Sequence, residues 1–359
     1  MNKNLSNSNI FTKLAFEQAK INLGSTGTNP SVGCVVVKNG SVISSGYTSS
    51  KGRPHAEFNA LKKKINFKDA FMYITLEPCS HYGETPPCTN IIIKKKIKKV
   101  SFSTFDFDRR SSEKSINVLK KKKIKVVSNI FNNHGLDFYK SYSLLHKKKL
   151  PLIDAKIAIS KDYLTKNTKS KWITNIYSRN RVHYLRSNYD SILSSSKTIN
   201  EDNSLLNCRI EGLEHKSPTI IIIDRDFKLN KNINILKNNF KKIYLFTRIK
   251  NKKKELFFKK RGVKILKLNK MNSAKDFGEI FVKLNTLGFS RLFVETGLNF
   301  LNFLLINKFI NNLYVFKSPK MLRTNGKNFA RNNLIKKIIL KKKIKVNLFG
   351  DNLYKVKLK

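Results

Sequence analysis

Short apolar runs rich in β-branched residues alternate with helical segments along the whole chain, and this alternation limits the fold more than any other feature. In the first half, residues 32–37 form one such run, and Asn39-Gly40 separates it from residues 41–46. Asn-Gly between two runs of this kind is typical of a β-hairpin turn. Further strands are predicted at residues 70–75, 100–105, 125–127, 152–158, 191–193, 219–224, 243–247, 292–295 and 312–316. Strands separated by helices indicate an α/β fold with a mainly parallel sheet covered on both faces.

A basic segment that ends in proline marks the expected domain boundary. Residues 146–151 read His-Lys-Lys-Lys-Leu-Pro, and a helix is expected to stop before the proline. The chain has 359 residues, a length more typical of two domains than of one. We therefore predict one α/β domain over residues 1–147 and a second over residues 148–359. Residues 336–359 mix lysine with apolar residues and are predicted to supply one or two edge strands.

The charge of the chain favours anionic ligands. Its formal net charge is +50, from 73 basic and 23 acidic residues. A nucleic-acid surface would concentrate this charge on one element, but the lysine runs are spread over both halves. We interpret the charge as a solvated basic surface, which argues against a nucleic-acid partner and is compatible with phosphorylated small molecules.

The number of cysteines and the length of the apolar segments indicate in which cellular compartment the protein is expected. Four cysteines in a chain of this length do not suggest a disulfide scaffold. Residues 1–20 lack the charged-then-apolar pattern of a secretory signal, and their apolar residues fit one face of a helix. The longest apolar stretches are far too short to span a bilayer. These features predict a cytoplasmic protein with no membrane partner.

The residues that carry chemistry lie between positions 55 and 88. His55, Cys79 and Cys88 together offer one imidazole and two thiolates. Three protein ligands are typical of catalytic zinc, because the fourth position then holds water and the ion lowers the pKa of that water. Glu57 follows His55 by two residues on the same predicted helix, where its carboxylate can carry protons. The pattern predicts a catalytic Zn²⁺ site with Glu57 as the proton carrier.

Two other interpretations of these residues stay open in the sequence. A structural zinc site would need a fourth protein ligand, and His81 is the candidate, although structural sites usually space their ligands more closely. A zinc-stabilised nucleic-acid-binding protein without catalysis would not need Glu57. Cys34 and Cys208 lack such context and are interpreted as small core residues.

Three stretches resemble the bifunctional RibD-type deaminase/reductase family of riboflavin biosynthesis: residues 29–35, His55 to Glu57, and residues 75–88. The long loop before Cys88, which contains Gly83, Thr85, Pro86 and Pro87, distinguishes this family from ordinary cytidine and tRNA deaminases. The resemblance covers nearly the whole chain. It implies an N-terminal cytidine-deaminase-like α/β/α domain followed by a dihydrofolate-reductase-like α/β domain.

The resemblance also implies two reactions on a phosphorylated pyrimidine. A diaminopyrimidinone that carries a ribosylamino 5′-phosphate loses ammonia to become a uracil, and NADPH then reduces the ribosyl chain to ribityl. The substrate-binding residues that match the family pattern are Asn29, Ser170, Arg186, Leu206, Arg209 and Glu295. The cofactor-binding residues that match it are Ala158, Trp172, Thr198, Asp202 and Gly297. Trp172 is the only tryptophan, so core packing is the alternative role for it. A homo-oligomer is compatible with the sequence.

The chain departs from the family pattern at several positions. Asp108 stands where the family has asparagine, and Tyr163, Ser204 and Arg323 replace a glycine, a proline and a glycine. A lost glycine matters where the backbone needs a positive φ or a close approach to a ligand. We therefore expect a retained but slow reductase, with a degenerate reductase domain as the alternative. A nucleic-acid deaminase is a further alternative, supported only by the charge.

Overall fold

The computed structural model describes residues 3–237, 242–328, 330, 332–341 and 343–359. The chain divides into two compact units, Met1–Leu150 and Pro151–Lys359. None of the helices in these described ranges is both long and apolar enough to cross a membrane.

The first unit is a five-stranded sheet with helices on both faces. Its strands are β1 (Gly33–Lys38), β2 (Ser41–Tyr47), β3 (Phe71–Leu76), β4 (Lys99–Thr104) and β5 (Lys125–Val127). Its helices are α1 (Lys3–Lys20), α2 (Ala56–Leu61), α3 (Cys88–Lys94), α4 (Lys114–Lys121), α5 (Asn132–Phe138) and α6 (Lys140–Lys148). The strand order is β2-β1-β3-β4-β5.

The sheet of the first unit is mixed, which corrects the prediction of a mainly parallel sheet there. The hairpin at Asn39-Gly40 forms as predicted, and β1 pairs antiparallel with both β2 and β3. The pairs β3–β4 and β4–β5 are parallel. The difference arises because β1, the first arm of the hairpin, lies between β2 and β3 and runs opposite to both, so it is the returning arm β2 that has the same direction as β3.

Alternate residues of β1 face opposite helical layers, as the period of a strand requires. Val35 and Val37 belong to a buried cluster with Ala15 of α1. Cys34 and Val36 belong to the other cluster, with Ala56 of α2, which confirms the core role predicted for Cys34. The sheet is therefore covered on both faces, and the predicted α/β/α architecture is confirmed.

A glycine in β2 sets the distance between the sheet and α2. A Cβ at Gly46 would lie 2.4 Å from the Ala56 carbonyl oxygen and 2.5 Å from the Ala60 amide nitrogen. Contacts that short are excluded, so only glycine lets α2 pack directly on the strand. This close packing fixes the start of α2, where His55 and Glu57 lie.

The second unit contains an eight-stranded sheet and a two-stranded sheet. Its strands are β6 (Leu152–Ile159), β7 (Lys166–Asn167), β8 (Ser191–Ser195), β9 (Thr219–Ile223), β10 (Ile243–Thr247), β11 (Val263–Lys267), β12 (Arg291–Glu295), β13 (Asn312–Lys317), β14 (Gly326–Lys327) and β15 (Asn352–Lys357). Its helices are α7 (Ile176–Arg186), α8 (Ser196–Asp202), α9 (Lys252–Lys259), α10 (Ala274–Thr286) and α11 (Leu298–Ile306). The order of the large sheet is β11-β10-β9-β8-β12-β6-β13-β15.

The large sheet is parallel except at one edge. Its central strands are apolar on both faces; in β9, for example, Ile220, Ile221 and Ile222 are fully buried. Strand β15 pairs antiparallel with β13 and closes one edge with a lysine-rich sequence, which confirms the edge strand predicted for the tail. Strand β11 at the other edge was not predicted, because lysine interrupts its short apolar pattern. Cys208 is buried, as predicted.

Candidate active sites

Three structural elements bring the predicted zinc ligands together. His55 is the N-cap residue directly before α2, and Cys88 is the first residue of α3. Cys79 follows the end of β3 by three residues. The positive end of a helix dipole favours a thiolate at the start of α3, but the hydrogen bond to Cys79 and burial act in the opposite direction and raise the pKa of the Cys88 thiol.

The three ligand atoms have the spacing that zinc requires. His55 Nδ1 lies 3.4 Å from Cys88 Sγ and 3.6 Å from Cys79 Sγ. All three ligand atoms lie within 4.8 Å of one another. A tetrahedral ion with usual zinc–sulfur and zinc–nitrogen bonds places nitrogen and sulfur about 3.6 Å apart. The residues present therefore fit a zinc ion.

His81 does not complete the site. Its Nδ1 pairs with the Ser111 hydroxyl at 2.7 Å. Among the described residues, the group of His, Cys, Asp and Glu close enough to share a metal contains His55, Cys79 and Cys88 alone. This arrangement leaves the fourth position free of protein ligands, as catalytic zinc requires, and it argues against the structural site with His81 as fourth ligand.

Glu57 lines the same pocket as His55 and Cys79 and is only 4 % exposed. Burial raises the pKa of the Glu57 carboxyl to about 7. Hydrogen bonds from Cys88, first from its thiol and also from its backbone N–H at 3.2 Å, lower the pKa of Cys79 to about 4. The site therefore pairs a thiolate suited to a metal with a carboxyl group suited to proton transfer.

The wall of this pocket contains charged residues that the sequence patterns did not single out. Arg53 lines it and pairs with Glu84, with 2.9 Å between Nε and Oε2. Arg110 lines it too and forms a two-pronged pair with Asp108, whose pKa falls to about 2 because of the hydrogen bonds from Arg110. Asn29, the predicted substrate residue, lies in the same wall. Asp108, which departs from the family pattern, is thus paired with the cation of Arg110. Arg53 and Arg110 are the basic groups of the pocket that can bind an anionic substrate.

In the second unit, the structure brings four predicted substrate residues into one region. Arg186 donates from Nε and Nη2 to the Glu295 carboxylate at 2.6 and 2.9 Å, and both side chains are nearly buried. Arg186 also donates to the Asn207 carbonyl, which places it next to buried Leu206. Arg209 donates to the Asn207 side chain. Ser170 lies on an exposed segment, where its hydroxyl accepts a hydrogen bond from the Trp172 amide.

Some predicted cofactor residues meet at the start of α11. The Gly297 amide donates to the Thr198 hydroxyl at 3.0 Å, so these two residues are in contact. Trp172 is 51 % exposed, with the Arg179 guanidinium 4.6 Å from the centre of its ring, so the core-packing alternative for this tryptophan is wrong. Ala158 is half-buried on β6 and Asp202 ends α8. The Trp172 ring is therefore exposed, whereas the Gly297 amide is engaged by Thr198.

Lys156 is the residue in this region that sequence reasoning missed. It lies opposite Glu295 in the pairing of β6 with β12, and burial lowers the pKa of its ammonium group. A lysine in a strand whose other residues, apart from Asp154, are apolar is the signal that could have found it, because lysine rarely lies in such a strand without a partner.

Comparison with known proteins agrees with this architecture. Residues 5–104 match the cytidine and deoxycytidylate deaminase zinc-binding region, and residues 151–350 match the RibD C-terminal domain. The riboflavin biosynthesis protein RibD of Aquifex aeolicus is 33% identical over 315 residues, which are 87% of each chain. The chain belongs to the RibD family.

Solved structures of RibD proteins share the fold over the whole chain. Acinetobacter baumannii RibD is 26% identical with a TM-score of 0.83, over 98% of this chain and 99% of that one. The Thermotoga maritima diaminohydroxyphosphoribosylaminopyrimidine deaminase/5-amino-6-(5-phosphoribosylamino)uracil reductase is 25% identical with the same TM-score of 0.83, over 99% of both chains. The predicted order, a zinc-binding deaminase domain followed by a RibD reductase domain, is confirmed, and the chain is a RibD-type enzyme.

Proposed function

We propose that the chain catalyses two successive reactions of riboflavin biosynthesis, the process for which its relatives are named. The first is hydrolysis of 2,5-diamino-6-(5-phosphoribosylamino)pyrimidin-4-one to 5-amino-6-(5-phosphoribosylamino)uracil, in which water enters and ammonia leaves. The second is reduction of the ribosyl chain to ribityl by NADPH. The observation that carries the proposal is the cluster of His55, Cys79 and Cys88 with the buried carboxyl of Glu57 in the same pocket.

In the first reaction His55, Cys79 and Cys88 would hold a zinc ion. When bound, zinc would lower the pKa of the attacking water. Glu57 would take a proton from the attacking water at a carboxylate oxygen and deliver it to a ring nitrogen, while the water oxygen bonds to the ring carbon that carries the amino group. It would then take the second proton from this hydroxyl and give it to the amino group, so that the carbon–nitrogen bond breaks, ammonia leaves and the oxygen becomes the new carbonyl of the uracil. Burial of Glu57 suits this role, because its raised pKa lets it hold and release a proton near neutral pH.

Binding of the pyrimidine would involve Asn29 and the charged wall of the pocket. The Asn29 amide lies on the wall shared with His55 and Glu57, where it can hydrogen-bond the polar edge of the ring. Arg53 and Arg110 line the same wall and supply positive charge for the substrate phosphate.

In the second reaction the residues of the RibD C-terminal domain divide into two groups. Ser170, Arg186, Leu206, Arg209 and Glu295 would bind the phosphorylated uracil. The residues that would bind NADPH, which supplies a hydride to the ribosyl carbon, are Ala158, Trp172, Thr198, Asp202 and Gly297. The nine-residue helix α11 supports this division, because backbone N–H groups at a helix start bind phosphate. Lys156 and Glu295 are neighbours in the sheet beside these groups and can hydrogen-bond a polar substrate.

The partner of the chain under this proposal is a small phosphorylated molecule, with no nucleic acid and no membrane. A cytoplasmic setting fits, because all four cysteines are free and the zinc-binding thiols must stay reduced.

The test is a two-stage assay in one tube. Purified, zinc-loaded protein is given the diaminopyrimidinone phosphate and ammonia is measured; NADPH is then added and its oxidation is followed at 340 nm. We expect ammonia first and NADPH oxidation only after deamination. A folded, zinc-loaded protein that releases no ammonia contradicts the first assignment, and absence of NADPH oxidation with the uracil product contradicts the second.

A further inference from the structure

Glu77 is a buried carboxylate that accepts four hydrogen bonds from one loop. It follows the last residue of β3 and is 3 % exposed. Its Oε2 accepts from the backbone N–H of Asp106 at 3.3 Å and of Glu113 at 2.9 Å. Its Oε1 accepts from the Ser115 N–H at 3.2 Å and the Ser115 hydroxyl at 2.7 Å. We call residues 106–115 the rim loop, a segment that ends with the first two residues of α4; both oxygens of Glu77 are fully engaged in holding it.

The rim loop contributes charged residues to the deaminase pocket. Asp108 and Arg110 line this pocket, and the Arg110 guanidinium is held by the Asp108 carboxylate. Ser111 pairs through its hydroxyl with Nδ1 of His81, which lines the pocket from the loop between the two cysteines. The rim loop therefore positions the Arg110 guanidinium within the loop and orients the His81 imidazole through Ser111.

The conformation of the rim loop needs an external support. Glu113 has a φ of 64°, in the left-handed region, which costs a residue other than glycine about 1 kcal/mol. The N–H of this strained residue is one of the four donors to Glu77. At the other end of the loop, the Tyr142 hydroxyl donates to Asp106 at 3.1 Å. Glu77 thus joins both ends of the rim loop to the strand that leads into Cys79.

We propose that Glu77 is a positioning residue for the deamination: it holds the rim loop so that Arg110 and His81 meet the phosphorylated substrate. This inference rests on the proposed deaminase function. Glu77 also lines the pocket, but it acts through the loop, because the four hydrogen bonds from the rim loop occupy the acceptor positions of both its oxygens. Its loss should therefore weaken substrate binding and leave the zinc site and the proton transfer by Glu57 in place.

The experiment compares Glu77→Gln with Glu113→Gln in the zinc-loaded full chain. A glutamine at 77 turns an NH₂ group toward hydrogen-bond donors of the loop and therefore removes about half of the four hydrogen bonds that Glu77 accepts. A glutamine at 113 makes the same chemical change on the same loop, but the Glu113 side chain is exposed and only its backbone N–H is used. For Glu77→Gln we expect KM to rise at least about tenfold, with kcat within about threefold and zinc content unchanged. Glu113→Gln should keep the wild-type KM.

Two results overturn the inference: an unchanged KM in Glu77→Gln, even with lower thermal stability, or loss of zinc from that variant. If Glu77→Gln does not fold, Ser115→Ala decides, since it removes only the 2.7 Å hydroxyl bond. A KM raised about threefold in Ser115→Ala supports the inference, and an unchanged KM overturns it. A folded wild type that holds zinc and releases no ammonia overturns the proposed function as well, whereas an active wild type confines the failure to Glu77.

Discussion

The ion pair between Arg186 and Glu295 allows a quantitative test of what holds the second unit together. The two side chains are only 10% and 12% exposed and share two hydrogen bonds of 2.6 and 2.9 Å. Burial acts to raise the pKa of Glu295, but Arg186 and then Lys156 outweigh it and keep that pKa below its usual value. Glu295→Leu would leave Arg186 and Lys156 without their shared counter-charge. Because an uncompensated buried charge typically costs about 3–5 kcal/mol, we expect a loss of about 3 kcal/mol in the free energy of unfolding.

A double-mutant cycle separates the pair from the loss of packing. Arg186→Met alone should also destabilise the unit, because it leaves the Glu295 carboxylate buried with Lys156 as its remaining cation. The double variant should lose less than the sum of the single variants, with a coupling of about 2 kcal/mol.

Urea unfolding followed by tryptophan fluorescence is the suitable assay. Trp172 is the only tryptophan in the chain and lies in the second unit, so its signal reports that unit alone. Arg225→Met serves as the matched control, because the Arg225–Asp226 pair at 3.2 Å is half exposed and should contribute less than about 1 kcal/mol. Single-variant losses below about 1 kcal/mol that simply add in the double variant would refute the reasoning.

Three further predictions concern the first unit. Glu57→Gln should keep its zinc, measured by elemental analysis, and lose ammonia release by at least about a hundredfold, because the proton carrier is gone; loss of zinc with activity would mean that Glu57 is structural. Arg110→Ala should be less stable than wild type above about pH 4 and should lose this difference as the pH falls toward 2, since the lowered pKa of Asp108 stabilises the fold only while Asp108 is ionised. A difference that grows in acid would contradict this sign. Gly46→Ala should lower zinc occupancy and melting temperature, because its Cβ would lie 2.4 Å from the backbone of α2; Gly278→Ala, on an open helix surface, is the control and should leave zinc unchanged.

The zinc site could be predicted from the sequence because its chemistry depends on residue type. One imidazole, two thiolates and a carboxylate in the order His55, Glu57, Cys79, Cys88 are unusual enough to indicate their joint role before any fold is known. The buried strands could be predicted for a similar reason: a run such as that of β9 is too apolar and β-branched for any other environment.

Other features depended on tertiary partners that no local pattern contains. The direction of β1 relative to β3 follows from which strand the hairpin joins, and that choice is made by the whole sheet. Lys156 lies beside an oppositely charged residue only because β6 pairs with β12, which places it opposite Glu295, 139 positions later in the sequence. Glu77 precedes a zinc ligand by two residues, yet its partners lie on the rim loop, so the sequence around it could not show that it holds that loop.

Two departures from the RibD pattern in the second unit lie at positions where the backbone is left-handed. Tyr163 and Arg323, which replace glycines, have φ values of 65° and 48°, so the backbone keeps the left-handed conformation that glycine favours. The Asp162 carboxylate accepts hydrogen bonds from the N–H of Leu322 at 3.1 Å and of Arg323 at 2.8 Å, which ties the two replaced positions together.

Such a clamp offsets part of the strain, which is about 1 kcal/mol for each residue other than glycine in this region. Both positions therefore keep a left-handed backbone although they carry large side chains. This favours the expected retained but slow reductase over a degenerate domain, because the backbone at both replaced glycines keeps its left-handed conformation and is supported by hydrogen bonds to the Asp162 carboxylate.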